Sequence, residues 1–183
     1  PANTLAHRET AAFLVSQALG WDLVPPTVYR EDGPFGSGSL QLFVEHDPNH
    51  HYFNFTDDEF QTLRPVVLFD LLINNADRKG GHMIFGENGH LWLIDHGLCF
   101  NVEEKLRTVI WDFAGEPVPE DLCAAVKEFR QKLNPPSEFI DKLQEHLAPD
   151  EISALIERTD RWQPCTHFPH PPQDRRAYPF PPV

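Results

Sequence analysis

A chain of 183 residues with 40% hydrophobic content is long enough for one domain with its own core, and no apolar run approaches the ~18 residues of a membrane span. A formal net charge of −13 argues against non-specific binding to nucleic acid, which needs Lys and Arg against phosphates. The start, Pro1-Ala2-Asn3-Thr4, carries no basic-then-apolar leader, and Cys99, Cys123 and Cys165 are scattered and odd in number, which suits a reducing, cytoplasmic setting.

In chain order, Arg8 to Leu19 predicts a helix, with Ala11, Ala12, Val15, Ala18 and Leu19 at helical spacing and Gly20 to close it. Leu23 to Arg30 reads as an edge strand interrupted by prolines, Glu31 to Gly38 as a turn, and Ser39 to Glu45 as its antiparallel partner. After an irregular stretch, Thr56 or Asp57 can cap a helix carrying Phe60, Leu63, Val67 and Leu71, which Pro65 splits or kinks. Met83-Ile84-Phe85, Gly86-Glu87-Asn88-Gly89 and His90 to Ile94 read as strand, turn, strand. Helices follow over Pro119 to Leu133, from a Ser137 cap through Ile140, Leu143 and Leu147, and over Asp150 to Trp162. Strands first and helices after predict an α+β domain over residues 1–163. Seven of the 18 prolines fall in the last 20 residues, so 164–183 is expected to be an extended tail, wrapped on the surface or disordered.

The candidate chemistry lies around the second hairpin. Asp77 ends an apolar run in Asn74-Asn75-Ala76-Asp77-Arg78-Lys79-Gly80-Gly81-His82. Asp95 follows 18 residues later in Leu93-Ile94-Asp95-His96-Gly97. One carboxylate before a hairpin and one after it can meet at a single mouth. That layout suits phosphoryl transfer, in which one carboxylate orients the nucleophile and the other holds Mg²⁺. Taken singly, each aspartate is equally a turn residue. Gly80-Gly81 can offer N–H groups to a phosphate or simply form a tight turn. Trp111 reads as core, and Asp112 as a salt-bridge partner of Arg78 or Arg107. His50-His51 and the Cys165 to His170 run lack a second ligand pair, so no structural zinc is expected. The tail run Asp174 to Tyr178 reads as a docking segment rather than an anion site.

These parts resemble the phosphatidylinositol 3-/4-kinase-like branch of the protein-kinase-like superfamily. The resemblance rests on Asn75-Ala76-Asp77-Arg78 as catalytic loop and Ile94-Asp95-His96-Gly97-Leu98-Cys99-Phe100 as metal loop. Arg8-Glu9 on the first helix and Leu40 to Glu45 leading into an interlobe hinge extend it, over residues 3–115. The Asp-Arg-Lys-Gly-Gly-His and Ile-Asp-His-Gly-Leu-Cys-Phe runs resemble an actinobacterial group in particular. The resemblance implies a helical C-lobe over 47–163 with a partial N-lobe and hinge over 1–46. It implies ATP as phosphoryl donor, Mg²⁺ (or Mn²⁺) as metal, and a hydroxyl acceptor, protein or small molecule. Asp77 would orient the acceptor hydroxyl and Lys79 neutralise the transferred phosphate. His82 and Asp95 would hold metal, and Phe43, Val44 and Glu45 would line the adenine pocket.

Two departures from the family pattern stand out. His82 occupies the place of a metal-binding Asn. Imidazole is a poorer Mg²⁺ ligand than oxygen, which favours Mn²⁺ or Zn²⁺, or a single-metal arrangement. The family also carries a glycine-rich loop and a lysine, the partner of Glu9, ahead of the first helix. Here no lysine precedes Asp77, and we expect a piece of a longer protein. A phosphotransferase is therefore the first expectation. A non-catalytic, pseudokinase-like nucleotide-binding module is the second, and a metal-dependent phosphohydrolase the third.

Overall fold

The computed structural model describes residues 4–164 and 166–183. Pro1 to Asn3 and Cys165, on which two of the sequence readings fall, lie outside the described residues. Helix α1 (Leu5–Leu19) buries Ala11, Ala12, Val15 and Leu19, and Gly20 closes it at φ 73°. It starts one turn earlier than the periodicity predicts. Strands β1 (Thr27–Arg30) and β2 (Gly38–Gln41) pair antiparallel, Thr27 opposite Gln41. Both are shorter than predicted. Pro25 and Pro26 offer no N–H to a ladder, so regular pairing starts only after them.

Thr56 caps α2 (Asp57–Gln61) through a reciprocal box: its Oγ1 accepts from Glu59 N–H at 3.3 Å, and Glu59 Oε2 accepts from Thr56 N–H at 2.8 Å. Pro65 splits the predicted helix, because it lacks the N–H to continue α2 but fits the first turn of α3 (Arg64–Ile73). All residues from Val66 to Ile73 are buried, so α3 is the central rod of the core. Each fully buried Leu or Phe on it contributes about 1.5–3 kcal/mol. Strands β3 (Met83–Phe85) and β4 (Leu91–Leu93) form the second hairpin, its turn closed by Gly86 N–H to His90 O at 3.0 Å. Leu93 N–H donates to Leu23 O at 2.7 Å and so ties this hairpin to the chain entering β1.

Helices α4 (Glu120–Lys132), α5 (Glu138–Gln144) and α6 (Pro149–Trp162) complete the bundle. Helix α6 packs on α3 and α4, and α1 packs on α4. The result is α+β, as expected. Thr166 to Val183 lies on the molecule: Phe168 is 2% exposed against Phe113, and Ala177 is buried. Trp111 is only half-buried, at the rim of the core. Among the described residues no helix is long and apolar enough to cross a membrane.

Candidate functional site

Helix α3 ends at Asn74, in the left-handed region at φ 51°. Asn suits such an end because its short amide can bond locally. Here the amide donates to Asn101 O and Glu103 O at 2.8 and 2.7 Å and accepts from Lys105 N–H at 2.9 Å. Asn75 is fully buried. It donates to Asp70 Oδ1 at 2.9 Å and accepts from Asp77 N–H at 3.0 Å, which sets the start of the Asp77 loop. The Asp77 side chain then stands one-quarter exposed, its Oδ2 3.5 Å from Lys79 Nζ.

Arg78 turns the other way and is fully buried. Its guanidinium forks onto Asp70 at 3.0–3.2 Å. It also donates to His82 O at 3.3 Å, to Ile94 O at 3.1 Å and to His96 Nε2 at 2.9 Å. One side chain therefore holds α3, the Asp77 loop, the end of β4 and the Asp95 loop together. Asp112 is not its partner, contrary to the sequence expectation. Asp112 accepts from the Tyr52 hydroxyl, and the position inside the core falls to Asp70. Burial and Asp112 together push the Tyr52 phenol far above its usual range.

Asp95 leaves β4 in the left-handed region at φ 60°, which swings its carboxylate outward, 59% exposed. His82 Nε2 lies 3.4 Å from Asp95 Oδ2. Burial and the Arg78 charge hold the His82 imidazole below its usual pKa, against the pull of Asp95 and Asp77. His82 thus meets Asp95 from the loop that also carries Asp77 and Lys79. Its Nδ1 is buried with no hydrogen-bond partner.

Glu9 on α1 reaches the Asp95 loop directly. Its Oε1 accepts from His96 N–H at 2.8 Å, and its Oε2 lies 3.7 Å from His96 Nδ1. Burial alone would raise this carboxyl; the bonds to His96 bring it below its usual value. Because His96 Nε2 accepts from Arg78, the ring proton falls on Nδ1, facing Glu9. The imidazole is fully buried and held neutral by that burial, with Arg78 acting in the same direction. Glu9, His96, Arg78 and Asp70 form one line from α1 to α3 through both loops. The sequence reading missed Asp70 and His96 as members of it. An acid inside the apolar run Val66 to Ile73 was the available signal, since a buried carboxylate needs a cation.

The expected hinge residues stand apart from this line. Regular pairing stops at Gln41, although Leu42 N–H still donates to Pro26 O at 2.9 Å. Phe43 is 72% exposed, Glu45 is exposed, and Val44 is half-buried near Gly86. Gly80 opens a 3-10 turn, Gly80–His82, its Cα packed so closely on Phe53 that a Cβ would stand 2.8 Å from the ring.

Among the described residues no group of three or more His, Cys, Asp or Glu side chains can hold an ion unaided. A nucleotide-bound Mg²⁺ does not need one, since phosphates and water fill most of its sphere and one or two carboxylates suffice. The exposed oxygens of Asp95, with neutral His82 beside them, fit that requirement.

Two acid-bearing loops clamped together at the edge of a helical lobe, under a small hairpin, define a kinase-like protein. A family model described as phosphatidylinositol 3- and 4-kinase matches residues 2–148, and the chain belongs to this family. It is 38% identical to protein Rv2133c of Mycobacterium tuberculosis, over 99% of this chain and 76% of that protein. It is 28% identical to phosphatidylinositol 4-kinase gamma 4 of Oryza sativa subsp. japonica, over 66% of this chain but only 25% of the rice protein. Among solved structures, the Helicobacter pylori proinflammatory kinase CtkA superposes with a TM-score of 0.56 at 12% identity, covering 91% of this chain and 82% of that one.

Proposed function

We propose that this chain is an ATP-dependent phosphotransferase acting on a hydroxyl acceptor. The observation that carries the reading is the meeting of the two loops: His82 Nε2 lies 3.4 Å from Asp95 Oδ2, and in the loop that leads to His82 the Asp77 and Lys79 side chains lie 3.5 Å apart. Asp77 accepts the acceptor's hydroxyl proton as the new oxygen–phosphorus bond forms. The bond from the γ-phosphorus to the β,γ-bridging oxygen breaks, and ADP leaves. Lys79 sits where it can neutralise charge on the transferred group. Asp95 and His82 would hold Mg²⁺ or Mn²⁺, which supplies charge stabilisation at the phosphates. Phe43, Val44 and Glu45 would meet the base, and Glu9 positions the metal loop through His96. Abundant ATP and reduced thiols favour the cytoplasm as the place of action.

The test is ADP release with Mg²⁺ or Mn²⁺, alongside nucleotide-dependent thermal shift. Asp77→Asn should lower turnover by about 10²–10⁴-fold while keeping the nucleotide shift, as for loss of a general base. Asp95→Asn should abolish the metal dependence of that shift. Turnover unchanged in both variants would end the reading. Phosphoester hydrolysis without ATP would replace it with a hydrolase, and a nucleotide shift with no turnover would replace it with a binding module.

A further inference from the structure

Residues Thr166 to Val183 run back along the chain segment that flanks the catalytic loop. Val118 N–H donates to Thr166 O at 3.1 Å, Phe168 N–H to Glu116 O at 2.9 Å and Gly115 N–H to Phe168 O at 3.0 Å, an antiparallel pairing. Farther on, Ala177 O accepts from Thr108 N–H at 3.1 Å and from Trp111 Nε1 at 3.3 Å, and Pro182 O accepts from Gly80 N–H at 2.8 Å. Arg175 meets Glu104 at 3.4 Å.

The other side of this segment belongs to the catalytic loop. Arg78 N–H donates to Arg107 O at 3.0 Å and Val109 N–H to Arg78 O at 3.2 Å, so Arg78 and Thr108 bridge in parallel. Thr108 N–H therefore points away from the catalytic loop, and Ala177 O of the tail accepts it there. Gly80 N–H, three residues beyond Asp77, opens a 3-10 turn and has no donor role inside it. Extended polypeptides are commonly held by such unpaired backbone groups at an exposed edge. Here the Gly80 and Thr108 N–H groups are already taken, while the side chain of Asp77, three residues before Gly80, stays one-quarter exposed.

We propose that the Pro-rich tail is an internal occupant of the acceptor edge. With the tail docked, Asp77 is open to small hydroxyl compounds and closed to extended polypeptides. This rests on the phosphotransfer reading for the word acceptor, though not for the docking. Proline suits the role, because the chain is extended before it docks and loses little entropy in doing so.

The experiment uses the full chain and a variant, Ala177→Glu, that places a charge at a buried contact. In the unmodified chain the Gly80 and Thr108 amides should exchange slowly, and in the variant about tenfold faster or more. Fast exchange of both in the unmodified chain overturns the proposal whatever the variant does. Fluorescently labelled β-casein, an unfolded polypeptide, should bind the variant and not the unmodified chain by anisotropy. Equal binding to both, or to neither once the amides are open, overturns it as well. With ATP, the unmodified chain should label glycerol, glucose or myo-inositol in preference to casein, and the variant should gain casein labelling. Casein labelled equally by both chains overturns the selectivity. No transfer to any compound by either chain sinks the phosphotransfer reading instead, and exchange and binding then decide the tail alone.

Discussion

Arg78 and Asp70 show how much one buried pair decides here. Both are at most 1% exposed, and the arginine's donors all meet protein acceptors. The net worth of such a pair against an apolar substitute is small, because desolvation offsets most of the attraction. Removing one partner is different, since it strands the other charge in the core. Asp70→Ala should lower unfolding stability by about 3–5 kcal/mol, measured by urea denaturation. A loss under ~1 kcal/mol would show that the arginine finds water or another acceptor. The motif Asn-Ala-Asp-Arg was legible in the sequence, as was an arginine near the site. The choice of Asp70 over Asp112 was not, because either aspartate lies within reach until the chain is folded.

At the scale of elements, α1 is fastened to the Asp95 loop at two points. Glu9 holds the His96 backbone, and Arg8 donates to Cys99 O while pairing with Glu151 at the start of α6. The fastening carries a pH signature. His96 has its pKa lowered in the fold, so the unfolded chain takes up its proton first as pH falls below about 6.5, and the unfolded state gains. His82 and His146 are shifted the same way. Glu9 is also lowered, so its contribution is present above pH 4.5 and is lost as pH falls through its folded value. Stability should decline from pH 7 toward pH 5, each such imidazole adding at most about 1.4 kcal/mol per pH unit. The urea midpoint measured across that range checks this, and His96→Asn should flatten the slope. A level profile in the unmodified chain contradicts the buried, neutral imidazole. Of these elements, helices and hairpins were readable from periodicity, caps and turns. The shortened β1 and β2 were not, because ladder length depends on which N–H groups find partners.

For the molecule as a whole, the net charge of −13 sets what it avoids. The buried cations near the site are spent internally: Arg78 on Asp70 and Arg8 on Glu151. Duplex DNA should therefore bind more weakly than ~10⁻⁴ M at physiological salt, by gel shift or anisotropy. Tight, salt-sensitive binding would reveal a basic surface not evident from the composition. The tail is the other whole-molecule feature. Its prolines predict extension, and the described residues show where it lies, paired with 115–118, 108 and Gly80.

The amino-acid order alone determined the local events: the Thr56 and Ser137 caps, the break at Pro65, the turn between β3 and β4, and the two aspartate loops eighteen residues apart. These depend on interactions within a few residues, which a linear reading can see. Only the tertiary structure decided that Glu9, Asp70, Arg78 and His96 share one buried line, and that Ala177 and Pro182 meet Thr108 and Gly80. Buried polar groups must find partners wherever packing leaves them, and those partners come from distant stretches of the chain brought together by a common core.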